Sequence, residues 1–111
     1  MCRALKVLCV AQGRDRLVEL KKATVSTNWE LVGGVASIED LPAQLESWRP
    51  DVVVIDEPLG GEGIPAVRGL MNRVRLVVVG GTVDGADGAA ASLEDVRNTV
   101  LGLPRPGGPV R

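Results

Sequence analysis

The chain contains no histidine, no phenylalanine and no tyrosine. Without imidazole, Ser-His and Cys-His catalysis, histidine metal ligation and phosphohistidine chemistry are all excluded together. Two tryptophans are the whole aromatic content, so there is no stacking platform for nucleobases. Two cysteines, Cys2 and Cys9, lack metal-site spacing, and a lone pair is weak ground for a disulfide. Cys9 lies inside an apolar run and reads as a buried thiol, which predicts a reduced, cytoplasmic setting. Long apolar runs are missing too: none approaches the roughly 20 residues that cross a bilayer. The amino terminus shows no uninterrupted apolar region or cleavage site of a signal peptide. Charge of one sign is also scarce. Fourteen acids face 13 bases, interspersed rather than blocked, for a net charge of −1. Bulk electrostatics therefore draws this chain neither to nucleic acid nor to an anionic membrane.

What is present is enough for one folded domain: 111 residues, 45% of them hydrophobic. The central stretch is Arg49-Pro50-Asp51-Val52-Val53-Val54-Ile55-Asp56-Glu57-Pro58-Leu59-Gly60-Gly61. Its unbroken β-branched run suits a strand buried on both faces, as in a parallel sheet covered by helices. Asp56 then falls at the carboxyl end, where open α/β sheets place their sites. The plainer reading is a strand terminator that accepts backbone N–H bonds from the following loop.

Taken in order, residues 4–11 read as a first buried strand, broken by Gln12-Gly13. Residues 15–24 read as a helix with Leu17, Leu20 and Thr24 on one side. Trp29 to Ala36 is a second strand, whose glycines suit an edge position or a bulge. Ser37-Ile38-Glu39-Asp40 has the form of a capping box. Ile38, Leu41, Leu45 and Trp48 follow at helical spacing, which predicts a buried Trp48, and Pro50 ends that helix. Beyond Gly60-Gly61-Glu62-Gly63, Pro65 fits a first helical turn, with Ile64, Val67, Met71 and Val74 as the apolar face. Residues 75–79 form a fourth strand, and residues 82–88 read as a loop. Residues 89–91 form a short fifth strand. A second box, Ser92-Leu93-Glu94-Asp95, opens a final helix carrying Leu93, Val96, Val100 and Leu103. Pro104 to Arg111 reads as a disordered Pro/Gly-rich tail or linker after a domain over residues 1–103.

Alternation of this kind implies a parallel sheet with helices on both faces, and the flavodoxin-like strand order 2-1-3-4-5 fits its size. In that order the first and third strands are neighbours, and the turns after Ala11 and Asp56 meet.

Over residues 4–103 the chain resembles a response-regulator receiver domain of the CheY-like class. The resemblance rests on the apolar first strand, on Pro50-Asp51-Val52-Val53-Val54-Ile55-Asp56, on Leu76-Val77-Val78-Val79, and on Gly85-Ala86-Asp87-Gly88. It implies a three-layer sandwich with a five-stranded parallel sheet. It also implies Asp56 as counterpart of the aspartate that takes a phosphoryl group from a histidine kinase.

The departures fall on the chemistry. The family's acidic pair, which holds Mg²⁺, is matched by Ala11 and Gln12, leaving only Asp15 nearby. Its hydroxyl aligns with Gly80, its switch aromatic with Ala89 and its lysine with Ser92. No lysine follows Lys22. The proline found four residues after the phosphoacceptor aligns with Gly60, and about one helix is missing between the fourth and fifth strands. Phosphoryl transfer is mostly positioning and charge neutralisation, so the resemblance implies a pseudo-receiver with a vestigial Asp56. No metal site and no cofactor are expected, with weak Mg²⁺ binding at most. The expected role is a non-enzymatic, phosphorylation-independent interaction or dimerisation module, engaging a protein partner or a second copy without direct nucleic-acid or membrane binding. The missing helix predicts a thinly covered apolar face beside the fourth strand.

Two other readings stay open. One is a working receiver using Asp56; the other is a flavodoxin-like small-ligand or nucleotide domain. For the latter, Gly60-Gly61-Glu62-Gly63 would present backbone amides, although it lacks the Gly-Lys-Ser/Thr of a P-loop and Glu62 would repel phosphate. An independent enzyme built on Asp56 with Ser37 or Thr82 has no defensible constellation.

Overall fold

The computed structural model describes residues 5–26, 29–56, 63–67, 69, 74–80 and 88–101. The first strand, β1 (Leu5–Val10), leads into helix α1 (Arg14–Thr24) and then β2 (Trp29–Val35). A 3₁₀ turn (Ile38–Asp40) opens α2 (Leu41–Trp48), followed by β3 (Val52–Asp56). Residues 63–67 are helical and are termed α3. Then come β4 (Arg75–Val79), β5 (Gly88–Ala90), a 3₁₀ turn (Leu93–Asp95) and α4 (Val96–Leu101). All strand pairs are parallel, in the order β2-β1-β3-β4-β5.

Alternation along the buried strands splits the core into two halves. Val7, Cys9, Val52, Val54, Val77 and Val79 pack with Leu20 of α1 and with Val96 and Val100 of α4. Leu8, Val10, Val53, Ile55, Leu76 and Val78 pack with Leu41 and Leu45 of α2 and with Ile64 and Val67 of α3. Every residue of β3 is buried, as its unbroken apolar run predicts.

On the edge strand, Val7 pairs with Leu31 but Leu8 with Gly33, so Val32 is an extra residue. A one-residue bulge reverses the phase of the side chains that follow. Trp29 and Leu31 accordingly face α1, whereas Val32 and Val35 face α2. Of the edge position and the bulge that the glycines suit, β2 has both.

β5 explains how two parallel neighbours are joined by so little chain. Adjacent parallel strands ordinarily need a crossover of about a dozen residues or more. Here β5 pairs only with Val77–Val79, so it starts beside Val77, two positions back from the end of β4, rather than beside Arg75, four positions back. The strand begins at Gly88, one residue earlier than the sequence predicts.

Four further expectations are corrected. Trp48 is 42% exposed, not buried, and its indole N–H donates to Gln44 Oε1 at 2.8 Å. Trp29 is the buried indole, donating to the Thr24 carbonyl at 2.8 Å. Ser37 does not cap a helix N–H; its hydroxyl donates to Asp40 Oδ2 at 3.2 Å. Ser92 holds the cap position without a side-chain cap bond among the described residues, and its carbonyl accepts from the Asp95 N–H instead. In both places a 3₁₀ turn intervenes and uses i→i+3 backbone bonds where a side-chain cap was expected. On β4 itself the expected thin cover is not found, since Leu76 and Val78 are fully buried, whereas Ala89 beside Val78 on β5 is exposed.

The expectations for Cys2, Glu57 to Glu62, Met71, residues 82–87, Leu103 and the tail lie outside the described residues. Among the described residues no helix is long and apolar enough to cross a membrane.

Candidate functional site at the carboxyl ends of β1 and β3

The sheet order places the site. β1 lies between β2 and β3, so the chain leaves its carboxyl end toward one side while β3 ends on the other. Such a switch point opens a crevice at the carboxyl ends of the strands. Ala11 is buried there, its N–H donating to the Val35 carbonyl at 3.0 Å, and Gln12 is exposed. Gly13 has φ +87°, a left-handed backbone that only glycine adopts at low cost. That turn starts α1 directly beside the end of β3.

The consequence is a contact that the sequence reading missed. Arg16, in the first turn of α1, reaches Asp56 with two parallel bonds: Nε to Oδ2 at 2.9 Å and Nη2 to Oδ1 at 3.0 Å. Asp56 is 4% exposed. A carboxylate so far from water requires a paired positive charge. The planar guanidinium fork matches both of its oxygens, as an ammonium cannot. The hydrogen bond to Asp56 is also the main reason that the Arg16 guanidinium is held protonated even more firmly than usual. Asp56 is therefore not simply a strand terminator: a side chain 40 residues away holds both of its oxygens.

The remaining positions lie outside the contact between Arg16 and Asp56. Gly80 follows β4, with φ +91° and its N–H donating to the Ala90 carbonyl at 2.8 Å. Ala89 pairs with Val78 in β5, and Ser92 is exposed beyond that strand. Asp15 is exposed in the first turn of α1. Among the described residues no three His, Cys, Asp or Glu side chains gather to hold a metal ion. A divalent cation bound through carboxylates does not fit this donor set, since Asp56 faces a guanidinium where a second carboxylate would be needed.

The architecture is that of response-regulator receiver domains. The chain is similar to the isolated receiver domain of RcsB from Salmonella enterica serovar Typhimurium, determined with the phosphomimetic BeF₃⁻. That match has a TM-score of 0.71 at 12% identity, over 89% of this chain and 87% of that one. It is similar to the response regulator domain of Thermotoga maritima CheB, with a TM-score of 0.67 at 16% identity, over 92% and 100% of the two chains. A cobalamin-binding protein from Desulfitobacterium hafniense DCB-2 matches with a TM-score of 0.60 at 19% identity, over 86% of this chain and 56% of that one. No family model matches the sequence. No curated protein matches it either. At such identities the likeness extends to the fold, and the chemistry has to be argued from the residues.

Proposed function

We propose that this chain is a pseudo-receiver. It acts as a phosphorylation-independent protein–protein interaction or dimerisation module in signal transduction or transcriptional regulation. In this reading it is not an enzyme, uses no cofactor and works in the cytoplasm. Its partner is a protein or a second copy, and it makes no direct contact with nucleic acid. The observation that carries the reading is the bidentate Arg16–Asp56 pair. A phosphoacceptor must present an oxygen lone pair to the phosphorus while a cation neutralises the incoming charge. Here each oxygen already accepts an N–H of the Arg16 guanidinium, and Ala11, Gly80 and Ala89 supply no carboxylate, hydroxyl or ring to bind a phosphoryl group or report its arrival.

The test is an NMR titration of the whole chain with Mg²⁺ and acetyl phosphate, then with a beryllofluoride mimic. No site-localised change is expected, and Asp56→Asn should leave self-association and partner binding intact. Saturable, Mg²⁺-dependent shifts around Asp56 that spread to Gly80 and Ala89 with the mimic would restore a working receiver.

A further inference from the structure

We propose, resting on the interaction-module reading above, that a second copy of this chain docks along the outer edge of β2. The two β2 strands run antiparallel, with the two α2 helices side by side on one face.

The edge itself invites pairing. β2 has seven residues, against six, five, five and three for β1, β3, β4 and β5. The longest strand described thus stands at the rim of the sheet, and among the described residues it pairs only with β1. Folds ordinarily keep an edge short or charged, because its outward N–H and C=O groups are a template for another strand. Val35 turns its carbonyl inward to the Ala11 N–H, so Gly34 before it turns its own groups outward. The bulge at Val32 interrupts the strand, which leaves Gly33 to Val35 as the pairing segment. Trp48 stands beside that segment: its ring lies over Gly33, bonded to Gln44, and is 42% exposed. A large indole at a solvent-facing rim is the kind of side chain that anchors protein interfaces.

Charge selects a second copy as the occupant. α2 leaves the carboxyl end of β2 and returns to the start of β3, so it runs antiparallel to β2. Asp40, Gln44 and Trp48 recur every fourth residue and share the side toward the edge. Exposed Glu39 and Asp40 stand at one end of this row and exposed Arg49 just past the other. Glu46, two residues on from Gln44, falls on another side of the helix. Glu30, exposed near the amino end of β2, has Lys6 of β1 as its neighbour in the strand register, which offsets its charge. A two-fold axis normal to the sheet reverses the strand and keeps like faces together. It therefore brings the acidic end of each α2 toward the Arg49 end of the other, and the two Trp48 rings toward the axis. Every contact is made twice, and the assembly closes at two copies.

The experiment is sedimentation equilibrium of the full chain over a concentration series. Five forms are compared: wild type, Trp48→Ala, Asp40→Arg, Arg49→Asp and Asp40→Arg/Arg49→Asp, with melting curves to show that each folds. Wild type should dimerise reversibly, and amide exchange at Gly34 should slow as concentration rises. Each charge reversal should weaken the dimer at least about tenfold. The double reversal sets opposite charges together again and should recover most of that loss, which damage to the fold would not do. Trp48→Ala should weaken the dimer while the chain stays folded. A monomer at every concentration, with exchange at Gly34 unchanged, would overturn the edge dimer and leave the pseudo-receiver reading standing. So would a dimer that ignores these substitutions, or reversals that the double variant fails to rescue. A dimer that forms only with Mg²⁺ and the beryllofluoride mimic would overturn both.

Discussion

The Cβ that residue 33 lacks would stand 3.1 Å from the indole Nε1 of Trp48, so the ring lies against the backbone of the edge strand. Because Trp48 is partly exposed, that ring has room to slide outward. Gly33→Ala should therefore cost less than about 1 kcal/mol and shift the Trp48 fluorescence toward that of a wetter indole. The neighbouring glycine lies under α1. A Cβ at Gly34 would sit 2.7 Å from Lys21 Cε and 3.1 Å from both δ-carbons of Leu17. The lysine tip can swing away, but the leucine packs against the core. Gly34→Ala should destabilise by roughly 1–3 kcal/mol. Denaturant titrations that rank the two substitutions the other way would contradict the packing of α1 on β2.

Arg97 closes the far end of α1. Its Nε donates to the Val25 carbonyl at 2.6 Å and its Nη2 to the Lys22 carbonyl at 3.0 Å. These are carbonyls that a helix end leaves without an internal partner, and the positive charge suits the negative end of the helix. Arg97→Ala should cost about 1 kcal/mol and speed amide exchange in the last turn of α1. Arg97→Lys should recover only part of this, since an ammonium cannot repeat the two-pronged geometry. Equal stability of all three proteins in denaturant melts would dismiss the cap.

Burial pushes the Cys9 thiol up to about 11 from an ordinary 9.0, with Thr24 and Lys21 offsetting part of the effect. The native state thus keeps its proton where the unfolded chain has lost it. The resulting stability is complete below pH 9, declines above it, and is gone once the pH passes about 11. A shift of this size corresponds to about 3 kcal/mol. Unfolding free energy measured across that window should fall more steeply in wild type than in Cys9→Ala. Parallel curves would show that the thiol titrates alike in both states.

Much of this molecule is written in short-range pattern. The run Val52–Ile55 can bury itself only as a central strand, and that placement alone carries Asp56 to the mouth of the crevice. The glycines of β2 likewise suit an edge or a bulge, and the strand has both, the bulge lying where Leu8 meets Gly33. Arg16 was not legible for a geometric reason. Arg14 and Arg16 both lie in the first turn of α1, and the left-handed Gly13 decides which of them faces β3. The signal available was an acid at the end of a wholly buried strand, a position that calls for a paired cation. Trp48 misleads by its spacing, which matches Leu41 and Leu45. However, α2 ends there, Arg49 turns left-handed at φ +47°, and the last side chain falls over Gly33 beside the core rather than into it.

The bonds from Arg97 reach back 72 and 75 residues along the chain. During synthesis the first helix is made early, yet the carbonyls at its end have only water as partner until residue 97 has cleared the ribosome. Its apolar face waits almost as long, because Val96 and Val100 complete the layer around Leu20. Contacts this distant in sequence form slowly, since the loop between them must be closed before they stabilise anything. The amino-terminal half therefore lacks these contacts until the carboxyl-terminal helix has been added.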